Sequence, residues 1–440
     1  MMIKPWVLIA GLALVSPASA QLLGGGGVGG TVGPLVGGVT GPLLDLPRGT
    51  SSVAARAIGD LGGPLMAVDG AIRDLSPADL LSLRRARLRA LVRDHRAELD
   101  VDDDGNPIRR DTILAIGLAP GAVAAIRAAG FTITEADGAS TLDIGVVTLT
   151  PPSGRSPRKA LDTLRTLDPA ATFSFDHIYE PAHAPLAPLP GVAPAAGSTE
   201  AGTRAPIGLI DGGVGQHAAF AGVMIEQRGF AGTPRPSGHG TAVASLLVGR
   251  VGAFHGAAPG TPLLVADVYG GNASNGSAAA ILRAMGWLAQ RGVRVINISL
   301  VGPPNAVLAA GVHALAARGI RLVAAVGNDG PAAPPAYPAS YPGVIAVTGV
   351  DARGRALIEA GKPLHLDFAA PGADMVGALP GGGWGRVRGT SFAAPLVSAR
   401  LALAGTVDAL AAEARPGHGR VGRGVVCGSC AIAPRAVGLR

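Results

Sequence analysis

Two short apolar runs, each leading into a polar residue, constrain the fold of this chain most strongly. Residues 207–210 carry no polar side chain and lead into Asp211, and residues 322–326 lead through a glycine into Asn328. A continuous apolar run of this length is typical of a strand buried on both faces of a parallel sheet. The carboxyl ends of such strands meet at one edge, where open sheets carry their sites. The sequence therefore predicts an α/β fold with a doubly wound, mostly parallel sheet flanked by helices.

Two further residues stand where helices are predicted to begin. Ser391 follows a Gly-Thr pair ahead of the apolar run 396–403, and His239 lies between two glycines ahead of the small-residue run 242–248. The first turn of a helix presents unpaired N–H groups and the positive end of the helix dipole. That environment suits an attacking oxygen and the oxyanion that its attack creates.

Each of these residues has a structural interpretation when it is taken alone. Ser391 could be only a helix cap, His239 only a structural histidine, and Asp211 and Asn328 only turn residues. Together, however, they supply a nucleophile, a base, a carboxylate that orients the base, and an amide donor for an oxyanion. These are the parts that acyl transfer requires.

Three motifs that contain these residues resemble the signature motifs of the subtilisin-like serine peptidases (subtilases, S8), in that family's order Asp, His, Ser. The motifs are Ile210-Asp211-Gly212-Gly213-Val214, His239-Gly240-Thr241-Ala242-Val243-Ala244 and Gly389-Thr390-Ser391-Phe392-Ala393-Ala394-Pro395. The resemblance runs from about residue 207 to 404. It implies Ser391 as nucleophile, His239 as general base and then acid, Asp211 as its orienting partner, and Asn328 as oxyanion donor beside the backbone N–H of Ser391.

The same resemblance suggests which residues bind substrate. Residues 295–300 are similar to the strand that lines the family's primary pocket, which implies that Ser299 and Leu300 bind substrate. Residues 269–274 resemble the opposite substrate strand, so Gly270 is predicted to bind substrate as well. Val301 stands where many members have a glycine, and its side chain would narrow the pocket. The side-chain preference of the enzyme is left open.

Residues 112–178 alternate in the order strand, helix, strand, strand, helix, strand. We predict strands over 112–118, 131–133, 142–149 and 172–178, with helices over 120–129 and 157–167. This order is typical of a small ferredoxin-like α+β domain, and it resembles the I9-like propeptide that precedes the peptidase in this family. The resemblance implies a prodomain that inhibits its own enzyme and is removed by cleavage between Tyr179 and Arg204. A helix capped by Ser76 precedes it and is extra.

The first twenty residues combine Lys4, an apolar run over 6–15 and Ala18-Ser19-Ala20. This pattern indicates a secretory signal with Gln21 as the mature N-terminus. A membrane anchor is the alternative, but the apolar run is too short to span a bilayer. We therefore expect export to a periplasm or the medium, without a stable membrane anchor.

Net charge and cysteine content bear on two further questions, which are nucleic-acid binding and the state of the cysteines. The net charge is +7, but the cations are scattered without a basic stripe, so nucleic-acid binding is not expected. Cys427 and Cys430 are the only cysteines. An oxidising compartment favours a short disulfide, with unpaired thiols or a redox pair as alternatives.

A possible cation loop follows the first helix. Asp100, Asp102 and Asp104 match the start of a calcium loop, with Asp111 where a glutamate normally stands, but Pro107 spoils the pattern. A solvated turn is the preferred interpretation. No metal ligands or cofactors are assigned, and a structural calcium ion stays open without a specific motif.

These observations divide the chain into six segments. They are a signal peptide (1–20), a Gly-rich low-complexity segment (21–75), a propeptide-like domain (76–180), a Pro/Ala-rich linker (181–204), a peptidase domain (205–426) and a C-terminal tail (427–440). The sequence thus predicts an exported, monomeric serine endopeptidase that acts on peptide or protein substrates. The alternatives are an idle subtilisin-like fold that acts as a binding or chaperone-like protein, and an esterase that uses the same triad.

Overall fold

The computed structural model describes residues 74–135, 142–181 and 204–439, which belong to one compact unit. The predicted signal peptide, nearly all of the Gly-rich segment and most of the linker lie outside the described residues. The helices are α1 (Pro77–Asp94), α2 (Pro120–Ala128), α3 (Pro157–Leu167), α4 (Gly238–Val248), α5 (Ala278–Gln290), α6 (Ala306–Ala317), α7 (Thr390–Ala404) and α8 (Val407–Glu413).

The strands of the N-terminal part are β1 (Leu99–Val101), β2 (Pro107–Ile116), β3 (Thr132–Glu135), β4 (Val146–Thr150), β5 (Thr172–His177) and β6 (Glu180–Pro181). The strands that follow are β7 (Ile207–Asp211), β8 (Ile225–Gly229), β9 (Arg250–Val251), β10 (Phe254–His255), β11 (Leu263–Asp267), β12 (Val295–Ile298), β13 (Leu300–Val301), β14 (Arg321–Ala325), β15 (Ile345–Val350), β16 (Phe368–Pro371), β17 (Met375–Ala378) and β18 (Trp384–Val387).

The N-terminal part contains an antiparallel sheet in which β5 pairs with β2, β2 with β4 and β4 with β3, while β1 pairs with the start of β2. Helices α2 and α3 cover one face. Their buried Ile126, Leu161 and Leu164 share a core cluster with Ile113 and Leu149 of the sheet. The chain order of these elements from β2 to β5 is β-α-β-β-α-β, which is ferredoxin-like.

Most strand limits fall within two residues of the sequence-based prediction, but the starts of β2 and β4 differ from it by more. Strand β2 begins at Pro107 rather than 112, because the polar stretch Arg109-Arg110-Asp111 continues the strand across a register shift. Strand β4 begins at Val146 rather than 142, because Asp143 and Gly145 turn the chain with positive φ angles. Charged side chains within a strand and turns that contain glycine both interrupt the apolar pattern from which strands are predicted.

The larger sheet has seven parallel strands among the described residues, in the order β16-β15-β14-β12-β7-β11-β8. The two strands predicted to be buried on both faces, β7 and β14, are buried apart from Arg321 at the start of β14, whereas the edge strand β8 is partly exposed. In β7, for example, Leu209 belongs to one core cluster and Ile210 to the other. Helices α4 and α7 contribute to the first cluster, and α5 and α6 contribute to the second. The doubly wound α/β architecture is therefore confirmed.

The N-terminal domain docks on the face that α5 and α6 cover. The Asp176 carboxylate accepts a hydrogen bond of 2.9 Å from Ala279 N–H in the first turn of α5. Asn305, which caps α6, donates from its side-chain amide to the Phe175 carbonyl oxygen at 2.8 Å. Burial raises the pKa of Asp176, although the hydrogen bond from Ala279 opposes this effect. Polar groups at the end of β5 thus fix the position of the domain on the two helix N-termini.

The C-terminal segment packs against the same core as the parallel sheet. Cys427 and Cys430 form a disulfide, and the Ile432 carbonyl accepts a hydrogen bond of 3.0 Å from Val376 N–H. Among the described residues, no single helix has the length and apolar composition of a membrane span. The pair α7 and α8 meets these criteria only together, across a bend of 116°.

Candidate active site

Asp211 and His239 form the most direct contact of the site. Asp211 ends strand β7 and is fully buried. Its Oδ1 atom accepts a hydrogen bond of 2.7 Å from His239 Nδ1 and another of 2.7 Å from Gly212 N–H. A carboxylate can only accept, so this contact places a proton on Nδ1, and in the neutral ring the lone pair is then on Nε2. The imidazole is therefore in the tautomer that can take a proton at Nε2.

Local sequence explains why His239 reaches Asp211. His239 is the second residue of α4, and the Ser237 side chain caps that helix by accepting a hydrogen bond of 2.9 Å from Gly240 N–H. A side chain at Gly240 would overlap the Gly212 carbonyl, and a Cβ there would lie 3.0 Å from the Gly213 oxygen. The helix approaches the Asp211 loop this closely because position 240 carries no side chain.

Ser391 lies in the first turn of the buried helix α7. Gly389 precedes the helix with a φ of 136°, which favours glycine, and as the N-cap residue it has no side chain that could cap the helix. The Ser391 hydroxyl lies 3.5 Å from the Ser299 carbonyl oxygen, while Ser299 Oγ donates to the Ser391 carbonyl at 2.9 Å. The Phe392 ring lies 5.5 Å from the His239 imidazole, centroid to centroid. The start of α7 thus adjoins both His239 and Ser299, the residue that precedes strand β13.

Asn328 is tied to the same helix start. Its carboxamide oxygen accepts a hydrogen bond of 3.0 Å from Thr390 N–H, and Gly327 N–H donates to Thr390 Oγ1 at 3.1 Å. The first contact identifies the oxygen end of the amide, so the nitrogen end acts as the donor. The predicted set of Asp211, His239, Asn328 and Ser391 is therefore brought together at the carboxyl edge of the sheet.

A strand of the N-terminal domain occupies the cleft beside this site. Strand β6 pairs antiparallel with β13, with Glu180 opposite Val301 and Pro181 opposite Leu300. On the other side, Tyr179 N–H donates to the Gly276 carbonyl at 2.7 Å. The chain segment 178–181 therefore lies as an extended strand between two segments of the peptidase part.

The side chain of Tyr179 fills a pocket next to β13. The Tyr179 hydroxyl donates to the Pro303 carbonyl at 2.8 Å, and Tyr269 Oη donates to the Tyr179 carbonyl at 2.9 Å. A Cβ added to Gly302 would lie 2.5 Å from the Tyr179 ring. Burial raises the pKa of the Tyr179 phenol well above its usual range, so the hydroxyl stays neutral and remains a donor.

Two of the three predicted substrate-binding residues lie beside the cleft strand or Ser391, and the third lies in a turn. Leu300 pairs with the cleft strand, and Ser299 borders Ser391. Gly270 lies in a turn with a φ of 56°, and its N–H donates to Asp267 Oδ1 at 2.9 Å. The backbone contact with Tyr179 comes instead from Gly276, which the sequence analysis missed because the predicted strand over 269–274 is a turn followed by a short 3-10 helix.

The acidic turn after α1 is closed by protein donors. Asp102 Oδ1 accepts from the N–H groups of Asp104 and Asn106, at 3.0 and 2.8 Å. Asp102 Oδ2 accepts from the Asn106 amide at 2.9 Å and lies 3.2 Å from His177 Nε2. No group of three or more His, Cys, Asp or Glu side chains within the described ranges could hold a metal ion.

Known proteins share this sequence pattern and this fold. The sequence model of the subtilase family (peptidase S8) matches residues 202–410. Subtilisin Savinase from Lederbergia lenta is 33% identical over 208 residues, which are 46% of this chain and 76% of that protein. An alkaline protease from Alkalihalobacillus alcalophilus is 33% identical over 208 residues, which are 46% of this chain but only 54% of that protein.

A solved structure extends the fold comparison. The crystal structure of fervidolysin from Fervidobacterium pennivorans, a keratinolytic enzyme related to subtilisin, superposes with a TM-score of 0.62 at 19% identity. The match covers 76% of this chain and 62% of fervidolysin. At this identity the likeness shows a shared fold. Together with the sequence matches, it shows that this chain belongs to the subtilase family of serine endopeptidases.

Proposed function

We propose that this protein is an exported serine endopeptidase that works through Asp211, His239, Ser391 and Asn328, and that its N-terminal domain inhibits it until the domain is removed. The observation that carries the proposal is the 2.7 Å hydrogen bond between Asp211 Oδ1 and His239 Nδ1, next to the start of helix α7.

Proton transfer follows from the tautomer that Asp211 imposes. With Nδ1 protonated, His239 Nε2 takes the hydroxyl proton of Ser391 as its oxygen attacks the scissile carbonyl carbon. The Asp211 carboxylate then stabilises the imidazolium that forms. His239 returns the proton to the leaving amine, and water releases the acyl group from Ser391 by the reverse sequence of proton transfers.

The negative charge that develops on the carbonyl oxygen needs donors that are already in place. The Ser391 backbone N–H belongs to the first turn of α7, where helix N–H groups have no intrahelical partner. The Asn328 amide is oriented by Thr390 N–H, which holds the amide oxygen. Donors fixed before the reaction stabilise an oxyanion without a reorganisation cost, which is the largest contribution in many enzymes of this type.

The pairing of β6 with β13 supports a peptide substrate. A protein segment binds there in extended form through backbone hydrogen bonds, as in recognition by strand addition. Esters offer no such repeating N–H and C=O groups, so this cleft favours the endopeptidase over the esterase alternative. The same pairing supports inhibition, because residues 178–181 occupy the position that a substrate strand would take.

Export and processing complete the proposal. Residues 1–20 have the composition of a secretory signal, with Gln21 as the expected mature N-terminus. Cleavage between Tyr179 and Arg204 would separate the N-terminal domain from the peptidase part. The cleaved domain would then no longer be held in the cleft by a covalent connection.

The decisive experiment compares the exported wild-type protein with Ser391→Ala by casein hydrolysis, intact mass and N-terminal sequencing. We expect the wild type to be shortened to a residue between Tyr179 and Arg204, and the variant to be inactive, folded and stalled at Gln21. Ser153→Ala, on an exposed turn, is the matched control. Casein hydrolysis by a folded Ser391→Ala protein would refute the assignment of the nucleophile. Equal masses of the two chains would refute self-processing.

A further inference from the structure

Helix α1 lies against the loop that carries Asn328. Its face carries Leu80, Arg84 and Arg87, spaced four and three residues apart so that they lie on one side of the helix. Arg84 Nε lies 3.3 Å from Asp329 Oδ2, and Arg87 Nη2 lies 3.0 Å from Asp329 Oδ1. Asp329 directly follows the proposed oxyanion donor, so the helix contacts the catalytic loop itself.

The same helix also holds the strand in the cleft. Arg87 Nε lies 3.3 Å from Glu180 Oε1, and Glu180 is the residue of β6 that pairs with Val301. One guanidinium therefore bridges the cleft strand and the catalytic loop. Arg84 adds a connection to the rest of the N-terminal domain, because its Nη2 donates to Asn106 Oδ1 at 3.2 Å.

Apolar packing fixes the helix in this position. Leu80 is buried, and a Cβ added to Gly330 would lie 2.8 Å from Leu80 Cδ1. Gly330 has a φ of 82°, which favours glycine, so the loop turns sharply where Leu80 covers it. Leu80 therefore packs closely against Gly330, the residue that follows Asp329.

The negative charges of Glu180 and Asp329 explain what Arg84 and Arg87 contribute. The Glu180 and Asp329 side chains are 16% and 18% exposed, and both bind the guanidinium of Arg87. Without Arg84 and Arg87, two carboxylates would face each other in a partly dehydrated site, where like charges repel more strongly than in water. The cations of α1 are therefore needed for the cleft strand and the catalytic loop to lie side by side.

We propose that α1 is a latch, in which Arg84 and Arg87 hold strand β6 in the cleft and the 328–330 loop against it, and so keep the precursor inhibited. The proposal rests on the proposed function, because inhibition has meaning only for an active site. In this proposal α1 holds strand β6 in place in addition to the backbone pairing of β6 with β13. Loss of α1, or screening of its charges by salt, would weaken the binding of strand β6 in the cleft before the chain is cleaved.

The test measures hydrogen exchange in the full chain carrying Ser391→Ala, so that no self-cleavage takes place. In that background, Arg84→Met with Arg87→Met removes both charges but keeps the apolar stems. We expect amide exchange in segments 178–181 and 326–330 to become about tenfold faster, as expected when charge-assisted hydrogen bonds are lost. Exchange in helix α4 should not change.

The matched control is Arg93→Met on the same helix, because Arg93 pairs only with its neighbour Asp94 at an exposed position in the described structure. We expect wild-type exchange rates for this control. In 1 M salt, where the screening length falls to about 3 Å, exchange in the parent chain should move toward that of the double variant. Faster exchange in α1 alone, with segments 178–181 and 326–330 unchanged, would overturn the latch.

A second variant keeps the proposal testable if the double arginine variant fails to fold. Asp329→Asn leaves α1 intact and removes the negative charge that Arg84 and Arg87 share, so it should accelerate exchange in the 326–330 segment as well. Unchanged exchange there would also overturn the proposal. These readouts need no catalysis, so they stay informative even if Ser391 is not the nucleophile. In the active chain, the double arginine variant should shorten the lag before casein hydrolysis.

Discussion

Thr390 N–H donates a hydrogen bond of 3.0 Å to the carboxamide oxygen of Asn328, which joins the proposed oxyanion donor to the residue before the proposed nucleophile. Asn328→Ala removes that donor but leaves helix α7 in place. We expect kcat on a peptide substrate to fall about 10²–10³-fold with KM nearly unchanged, a magnitude that was measured in a subtilisin and does not come from this structure. A rise in KM at constant kcat, measured on the processed enzyme, would show that Asn328 binds substrate instead.

Gly302 and Tyr179 should be energetically coupled in the uncut chain. An alanine at position 302 would place its Cβ 2.5 Å from the Tyr179 ring, so Gly302→Ala should cost about 1–3 kcal/mol of precursor stability through overpacking. Tyr179→Ala removes the obstacle. Urea unfolding of both single variants and the double variant, in the Ser391→Ala background, measures the coupling. Additive effects would contradict the close contact between the two residues.

The Glu359–Arg388 ion pair should matter more for stability than the surface pairs do. Arg388 Nε lies 2.8 Å from Glu359 Oε1 and Nη2 lies 3.0 Å from Oε2, with side chains that are 12% and 4% exposed. Glu359→Ala leaves the guanidinium buried without this partner, which we expect to lower the free energy of unfolding by about 3–5 kcal/mol.

The exposed pair between Arg93 and Asp94 provides the control for this prediction. Its side chains are 66% and 61% exposed, so Asp94→Ala should change the free energy of unfolding by less than about 1 kcal/mol. Equal effects of Glu359→Ala and Asp94→Ala in urea unfolding would show that burial does not strengthen the Glu359 contact.

His217 should make the peptidase part less stable in mild acid. Its Nδ1 accepts from Ala219 N–H at 3.0 Å and its Nε2–H donates to the Gly383 carbonyl at 2.9 Å, so the folded state holds a neutral ring. Burial lowers the pKa of His217, while the Gly383 contact opposes this effect. The unfolded chain takes up the proton near pH 6.5 and the folded chain only at lower pH. Stability is therefore complete above about pH 6.5 and declines as the pH falls toward the folded-state pKa.

Thermal unfolding of the Ser391→Ala chain between pH 8 and pH 5 tests this dependence. His217→Gln cannot take up the proton, so the variant should show a flatter decline of Tm across that range, from a lower starting value at pH 8. His255→Gln, at an exposed position, should keep the parent profile. An unchanged slope in His217→Gln would mean that other groups cause the decline.

The sequence suggested the proposed active-site residues because each of them stands next to the end of a recognisable element. Asp211 closes an apolar strand, and Ser391 opens an apolar helix, and the three motifs that resemble those of the subtilases indicated that these residues act together. Helix α3 was predicted with its observed limits because a capping Ser156 and a first-turn proline mark its start.

Contacts between distant parts of the chain could not be predicted in this way. Arg87 and Asp329 are 242 positions apart, and neither differs in sequence context from the exposed charges around it. Only the docking of the N-terminal domain brings them together. The turn at Gly270 was missed for a related reason, because small polar residues suit a turn and an edge strand equally well.

The pairing of β6 with β13 has a consequence for how activity would depend on dilution. A tethered segment binds its own cleft in a unimolecular step, so its effective concentration does not change when the protein is diluted. A cut between the two parts converts this step into an ordinary bimolecular equilibrium. Under the proposed processing, dilution of the cut protein would shift this equilibrium toward the separated parts, so the cleft would open by dilution as well as by further cleavage.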